Sequence, residues 1–182
     1  MRNLEILTKS IDTLKLLQEN EKVVCSCIDE FSKVLFVYTS LTRLLIYNYS
    51  DNISAYTTFN HAIVLADENP NLENALMIQI DYVQELQGVQ FTYSSGNMYL
   101  YKLEEKKIEE VGEIPDGILA AAWAPNQEYL AVATSQSMLL FTLEFDVLYE
   151  QPIDDGDLTF ASTDTLKQSI VKDAIISWRG DS

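Results

Sequence analysis

Few residues in this sequence could do chemistry, and they lie far apart. The one histidine, His61, has no serine, cysteine or carboxylate cluster beside it, so a structural or solvated role is favoured over a nucleophilic or metal site. The two cysteines, Cys25 and Cys27, fall two residues apart in a strand-like stretch and would share one face of it. With no further ligands nearby, they are interpreted as buried small hydrophobic residues. We therefore predict no catalytic residue and no metal site.

Three short motifs match known sites by composition only. Asp154–Asp157 is acidic but lacks the spaced oxygen ligands and terminal glutamate of a calcium loop, so it is interpreted as a solvated turn. Arg179-Gly180-Asp181 matches a cell-adhesion tripeptide, and Asn48 and Asn52 begin glycosylation triplets. Without a secretory signal these are chance matches. No glycine-rich phosphate loop or dinucleotide fingerprint occurs, so we predict no cofactor.

Composition restricts the class of partner. The chain has 12 basic against 28 acidic residues, a net charge of −16, and such a field repels phosphate backbones. We therefore expect no direct nucleic-acid binding by this segment. The sequence is 47% hydrophobic, enough to bury a core, yet no stretch approaches the roughly 20 apolar residues of a membrane helix. Acidic residues interrupt the N-terminal stretch, so we expect no signal peptide, no membrane and an intracellular location.

Short apolar stretches with turn residues about every 8 to 12 positions predict an all-β chain. Twelve candidate strands fall into three groups of four. They are Lys22–Ile28, Lys33–Thr39, Arg43–Tyr49, Ile53–Phe59, Ala75–Asp81, Gly88–Tyr93, Met98–Leu103, Lys107–Val111, Ile118–Trp123, Tyr129–Thr134, Met138–Leu143 and Val147–Gln151.

The third strands of the groups resemble one another, which indicates an internal repeat. They are Thr42–Tyr47, Gly96–Tyr101 and Ser135–Phe141, and their spacing brackets the roughly 40 to 50 residues of a four-stranded propeller blade. These strands are apolar on both faces, as expected of strands stacked between neighbouring blades. The predicted fold is a partial WD-repeat-like β-propeller of about three four-stranded blades plus the start of a fourth.

The predicted domain is the N-terminal part of a β-propeller covering residues 1–182. Its blades are predicted at about 22–60, 61–113 and 114–153, and the next begins at 174–182 with a strand over Ala174–Trp178. At about 40 to 50 residues a blade, this length does not close a ring of six to eight blades. We expect a piece of a longer protein that is poorly soluble or oligomeric when expressed alone.

Five residues are predicted to anchor the core. Trp123 offers a large apolar surface, Pro125 presets the backbone of the turn that follows it, and an aromatic residue ends each third strand. The five are Trp123, Pro125, Tyr47, Tyr101 and Phe141.

The segment AAAWAPNQEYLAVATSQSMLLF, residues 120–141, resembles a WD-repeat blade. It departs from that family at the polar positions. No Gly-His pair precedes the inner strands, and the Trp-Asp dipeptide is replaced by Tyr47-Asn48, Tyr101-Lys102 and Phe141-Thr142. The polar network of the family is thus missing from its usual positions, and packing is expected to do more of the specification.

A closer resemblance covers the start, MRNLEIL, the stretch ILAAAWAPNQEYLAVATSQSMLLFTLEFDVLYEQPI, and AIISWRGD. These are similar to the N-terminus of the IKAP-type family, the largest WD-repeat scaffold subunit of the Elongator complex. The resemblance implies a scaffold without catalysis. Its implied partners are a radical-SAM and acetyltransferase-like catalytic subunit and a second WD-repeat subunit. The implied setting is tRNA wobble-uridine modification in the cytoplasm, with the nucleus as a second location.

A propeller hydrolase and a generic interaction module are two other functions to compare with the sequence. A propeller hydrolase would carry carboxylates or histidines on its inner strands, and these strands offer only Asp81. A generic WD-repeat interaction module of another multisubunit complex would look alike in sequence and is the alternative function. Loops 69–74 and 104–107 project from the predicted blades and are candidate contact loops, although a solvated role is favoured for both.

Overall fold

Antiparallel β-sheet makes up most of the described chain. The computed structural model describes residues 17–48, 61–72, 76–153 and 174–179. The strands in these ranges are β1 (Val23–Asp29), β2 (Val34–Thr39), β3 (Arg43–Asn48), β4 (His61–Val64), β5 (Met77–Val83), β6 (Gly88–Tyr93), β7 (Asn97–Lys102), β8 (Lys107–Glu113), β9 (Ala120–Trp123), β10 (Leu130–Ala133), β11 (Ser137–Phe141) and β12 (Val147–Pro152). A short helix α1 (Leu65–Glu68) and a 3-10 turn (Pro70–Leu72) follow β4.

The strands form three sheets of four, each a meander in which consecutive strands pair. Sheet 1 holds β1–β4, sheet 2 holds β5–β8, and sheet 3 holds β9–β12. This is the strand order of propeller blades, so the predicted all-β, partial β-propeller fold is confirmed. The chain divides into two units, with sheet 1 in residues 1–73 and sheets 2 and 3 in residues 74–182.

One predicted strand is wrong, one cannot be compared, and one observed strand was not predicted. The predicted fourth strand, Ile53–Phe59, lies outside the described residues. The fourth strand of sheet 1 is β4, which pairs with β3 from Arg43↔Val64 to Ile46↔His61. Sheet 1 therefore extends to Val64, beyond the predicted end of the first blade at about residue 60. The β-branched pair Ile63-Val64 suits extended backbone. The predicted strand Ala174–Trp178 is wrong, since residues 174–179 adopt no strand.

The middle strands of sheets 1 and 2 are buried on both faces, as the apolar pattern of the sequence predicts, whereas the central residues of β11 in sheet 3 are only half-buried. In sheet 2, all residues of β6 are buried, and so are the four central residues of β7. In sheet 1, successive residues of β2 and β3 are buried, including Phe36, Leu44 and Leu45 at 0% exposure. Consecutive buried residues on a strand mean that both faces of the sheet are covered.

Sheets 2 and 3 share one apolar core. Alternate residues of sheet 3 face it: Trp123 from β9, Leu130 and Val132 from β10, and Phe141 from β11. Sheet 2 and its outgoing connection supply the opposing surface, through Val83, Met98, Ile114 and Ile118. Each large side chain buried in this way adds about 1.5 to 3 kcal/mol of hydrophobic stabilisation.

The connection between sheets 2 and 3 depends on a glycine in the β6–β7 turn. Gly96 has φ of +103°, and a Cβ there would lie 1.9 Å from the carbonyl oxygen of Ile114. This close approach lets the Ile114 N–H donate to the Gly96 oxygen at 3.0 Å. The same turn holds Ile118, whose N–H donates to the Ser94 oxygen at 3.3 Å. Residues 114–118 are thereby positioned to lead into β9.

Replacing Trp123 with alanine removes the largest side chain that sheet 3 contributes to the shared core. Because the cavity left behind refills only in part, we expect the free energy of unfolding to fall by about 3 to 5 kcal/mol. Chemical denaturation followed by circular dichroism measures this. The matched control is Leu148→Ala, at a side chain that is 56% exposed, for which a change within about 0.5 kcal/mol is expected. Equal effects of the two substitutions would contradict the placement of Trp123.

Candidate functional site

A chain of buried polar groups joins sheets 2 and 3. The indole Nε1–H of Trp123 donates to Oε1 of Gln90 at 3.3 Å, and Nε2–H of Gln90 donates to the hydroxyl of Thr92 at 2.6 Å. Gln90 and Thr92 are both 0% exposed. An unsatisfied amide or indole N–H costs about 1 to 3 kcal/mol when buried, so these bonds are required for the two faces to meet. The ring of Phe145 packs edge-on against Trp123, with centroids 6.0 Å apart.

A second link between the same sheets comes from the β9–β10 turn. The Nε2–H of Gln127 donates to the carbonyl oxygen of Tyr82 at 2.7 Å, and its Oε1 accepts from the N–H of Gln84 at 2.9 Å. One side-chain amide thus binds both a backbone acceptor and a backbone donor of sheet 2. Gln127 has a positive φ of 57°, and its own N–H donates to the Ala124 oxygen at 2.8 Å. The turn therefore holds the amide in place.

Sheet 1 has a polar cluster of its own. Glu21, just before β1, accepts hydrogen bonds from the hydroxyl of Thr39 and from Nη1 of Arg43, the latter at 2.6 Å. Its carboxylate also accepts from the N–H of Gln18 at 2.7 Å. Burial raises the pKa of Glu21, but the bonds from Thr39 and Gln18 and the charge of Arg43 outweigh it and lower the pKa overall. The carboxylate is thus held ionised against the buried guanidinium.

These clusters are polar contacts that were not predicted from the sequence. The polar residues of WD-repeat blades are missing from their usual positions, and apolar packing is expected to contribute more to specifying the fold. The structure instead buries polar residues elsewhere, with Gln90 and Thr92 in β6 and Thr39 and Arg43 at the ends of β2 and β3. Polar residues inside otherwise apolar strands are the feature of the sequence that indicates these clusters. Their partners are distant in the sequence, 33 residues away for Gln90 and 22 for Arg43.

Asp81 is the one carboxylate that the sequence offered to a hydrolase. It lies on β5 opposite Gln90, and burial raises its pKa to about 6, while a hydrogen bond from Gln79 acts in the opposite direction. Catalysis by such a group needs a nucleophile, metal or second acid-base group in reach. Within the described part of the chain, no three His, Cys, Asp or Glu side chains come close enough together to hold a metal ion.

Four of the five predicted core residues lie in the interior. Tyr47 is 2% exposed, Tyr101 1%, Phe141 4% and Trp123 9%. Pro125 is exposed, so its assignment to the core is wrong. The reason is its place at the outside of the β9–β10 turn, where a fixed φ shapes the backbone without burying the ring.

The remaining candidates lie on the surface or outside the described residues. Cys25 and Cys27 are half-buried on one face of β1, less buried than expected. Asn48 is exposed at the end of β3, and Arg179 is exposed near the end of the described chain. Residues 154–157, 180–181 and Asn52 lie outside the described residues. Loop residues Glu104–Lys106 are exposed, and Lys107 opens β8.

The last strands of sheets 2 and 3 carry different surfaces. On β8 the side chains are charged, and Glu109 accepts from Nζ of Lys102 on β7 at 2.9 Å. This hydrogen bond raises the pKa of Lys102. On β12 all six residues are exposed, and Val147, Leu148 and Tyr149 are each 56% exposed. Sheet 3 therefore ends in an apolar strand where sheet 2 ends in a charged one.

Residues 174–179 lie on the face of sheet 3 that points away from sheet 2. The indole Nε1–H of Trp178 donates to the carbonyl oxygen of Ala122 at 3.0 Å. A groove of about 330 Å³ remains between this segment and the sheet, lined in part by Met138, Leu140 and Tyr149. The segment is thus attached through a side chain and not through a strand ladder. No helix in the described ranges has the length and apolar character needed to cross a bilayer.

The bridge at Gln127 predicts a measurable link between sheets 2 and 3. Gln127→Ala removes both hydrogen bonds to the β5–β6 turn, and we expect the free energy of unfolding to fall by about 1 to 2 kcal/mol. Glu128→Ala, at the exposed neighbouring position, is the control and should change it by less than about 0.5 kcal/mol. Urea denaturation compares them. No difference between the variants would show that the amide bridge adds nothing to stability.

Asp81 predicts a pH dependence whose sign follows from its raised pKa. Between about pH 4 and 6 the folded chain keeps a proton that the unfolded chain releases, so the free energy of unfolding falls as pH rises through this range. The loss reaches at most about 3 kcal/mol and levels off above pH 6. Asp81→Asn should remove this component and be the more stable protein at pH 7. Subtracting the unfolding curves of the two proteins measures it, with Asp116→Asn at an exposed site as control; parallel curves would contradict the burial of the Asp81 charge.

Comparison with known proteins places these features in a family. Residues 1–166 match the family described as the ELP1 first N-terminal beta-propeller. Among curated relatives, Elongator complex protein 1 of Mus musculus is 28% identical over 89 residues, 48% of this chain and 7% of that protein. The Schizosaccharomyces pombe protein of the same name is 25% identical over 114 residues, 60% of this chain and 9% of that protein. The chain thus spans only a small part of the length of these relatives.

A solved structure agrees on the fold. A chain in the crystal structure of the mitotic checkpoint complex superposes with a TM-score of 0.53 at 11% identity, over 74% of this chain and 39% of that one. At this identity the likeness concerns architecture alone. The family match covers most of the residues, and the three four-stranded meanders have the strand order of propeller blades. The chain belongs to the ELP1 first N-terminal beta-propeller family.

Proposed function

We propose that this chain is a non-catalytic scaffold segment of the Elongator complex. The observation that carries the proposal is the family match over residues 1–166, together with relatives named as Elongator complex protein 1. The geometry is consistent with it. Polar side chains at the boundary of sheets 2 and 3 hydrogen-bond across it, Trp123 to Gln90 and Gln127 to Tyr82.

The complex would act on tRNA, and this segment would contribute assembly and not chemistry. Its protein partners are proposed to be a radical-SAM and acetyltransferase-like catalytic subunit and a second WD-repeat subunit, and the modified sites to be wobble uridines. A net charge of −16 opposes direct contact with the tRNA backbone. The proposed location is the cytoplasm, with the nucleus as a second site.

The test is complementation in the native cell. Depleting the protein should lower wobble-uridine modification, measured by mass spectrometry of tRNA nucleosides, and the wild-type gene should restore it. Trp123→Ala should restore less, because loss of the shared core lowers the folded fraction, whereas Glu128→Ala should restore it fully. Unchanged modification after depletion would refute the proposal.

Affinity purification of the tagged protein distinguishes Elongator from the alternative of another WD-repeat assembly. Recovery of a radical-SAM subunit in stoichiometric amounts is the expected result. Recovery of a vesicle-coat or ubiquitin-ligase subunit in its place would assign the chain to a different complex, which the fold alone permits.

A further inference from the structure

The β12 edge, defined here as Val147–Glu150, is the long side of β12 that faces away from β11. β12 is the last strand of sheet 3, and within the described residues no strand pairs with its outer side. Val147, Leu148 and Tyr149 are each 56% exposed. An exposed apolar edge strand presents free backbone groups together with side chains that favour strand pairing, so proteins usually protect such edges.

The edge of β8, the equivalent strand of sheet 2, is protected against pairing with a further strand. On β8, charged residues Lys107, Glu109, Glu110 and Glu113 occupy more than half of the strand. Charged side chains along an edge oppose pairing with a further strand. β12 has one charged residue, Glu150. Both strands carry a bulge-type register shift, so the feature in which the two edges differ is their charge.

The backbone of the β12 edge is directed outwards at Glu150. The N–H of Ile153 donates to the carbonyl oxygen of Gln136 at 2.8 Å, and Leu140 lies opposite Tyr149 in the same register. Antiparallel partners alternate between hydrogen-bonded and non-hydrogen-bonded pairs. By this alternation Tyr149 points its N–H and C=O at β11, while Glu150 points both groups away from the sheet. Pro152 has no N–H at the next outward position, so the edge ends there.

The electrostatic surroundings indicate what kind of strand fits. Residues 137–153, which form the β11–β12 hairpin, contain Glu144, Asp146 and Glu150 and no lysine or arginine. All three acidic side chains are exposed. A strand bringing basic side chains to this hairpin would be attracted, and an acidic one would be repelled.

We propose that the β12 edge docks an extended segment of a partner protein in which apolar and basic residues alternate. The segment adds to sheet 3 as a fifth strand. Its backbone pairs with the outward N–H and C=O of Glu150, its apolar side chains pack on Leu148 and Tyr149, and its basic side chains lie near Glu144 and Asp146. Such an edge would serve any complex that contains this chain, so the proposal stands apart from the assignment to Elongator.

The probe is a fluorescein-labelled peptide of about ten residues with alternating valine and lysine and capped ends, titrated into the intact protein by anisotropy. A peptide of the same sequence, N-methylated at its central residues, keeps every charge and side chain but cannot pair along its backbone. The unmethylated peptide should bind at least about tenfold more tightly than the methylated one, as loss of the shared backbone bonds predicts. Equal binding of both would mean that only ionic attraction is present and would overturn the proposal.

Variants of Glu150 separate the backbone from the charge. Glu150→Pro removes the outward N–H together with the carboxylate and should weaken binding about tenfold, whereas Glu150→Gln removes the carboxylate alone and should stay within about threefold. Amide hydrogen exchange gives a second measurement that needs no variant: the peptide should slow exchange at Glu150. The amide of Tyr149, already directed at β11, should be protected with or without peptide.

Two further results would contradict the docking of a partner segment at this edge. Self-association of the protein in sedimentation velocity, abolished by Glu150→Pro, would make the occupant a second copy of this chain. Fast exchange at Glu150 in saturating peptide would mean that the peptide binds elsewhere. Either result would overturn the proposal, and both are measured on the protein without reference to tRNA modification.

Discussion

Sheets 2 and 3 can share a core only if the polar groups buried along with it keep hydrogen-bond partners. Trp123 brings an indole N–H into the interface, and Gln90 brings a whole side-chain amide to a position with no solvent exposure. Either group alone would cost more than a typical apolar contact gains. The amide oxygen of Gln90 accepts the indole N–H, and Thr92 accepts one of the two amide N–H groups. The apolar contacts of the core are thus available only in the arrangement that completes this chain of bonds.

Local sequence was a good guide to the strands and a poor guide to what holds the sheets together. β6 spans the predicted residues Gly88–Tyr93, and β12 extends the predicted strand by one residue, to Pro152. Alternation, β-branching and turn residues are local properties, so a single sequence displays them. The bonds from Trp123 to Gln90 and from Gln127 to Tyr82 span 33 and 45 residues, and nothing in either neighbourhood specifies the other.

The sequence predictions that the structure contradicts failed for the same physical reason. Apolar residues at 174–178 predicted a strand, yet Trp178 uses its indole to reach Ala122 and the backbone forms no ladder. β4 was not among the predicted strands, and Ile53–Phe59 was predicted as the fourth strand of the first group. Pro125 was predicted as a core residue because it presets the backbone of a turn, yet that turn places its ring in solvent. In each case contacts with residues distant in the sequence determined the local structure, which the local composition did not specify.

Directional bonds also solve a problem particular to repeated sheets. The hydrophobic effect has no direction, so similar apolar faces on successive four-stranded meanders could pack in several registers at similar free energy. A slip would leave the Gln90 amide without Trp123 and the Tyr82 and Gln84 backbone groups without Gln127. The buried Gln90 amide, left unsatisfied, adds about 1 to 3 kcal/mol to the wrong arrangement, while the right one gains about 1 kcal/mol from each bond. Polar residues in the core therefore contribute less to the stability of the native packing than to the free-energy gap between it and similar, slipped packings. A scaffold needs that separation most, because the surfaces it offers to partners, the β12 edge among them, keep their relative positions only if the sheets beneath them stack in one way.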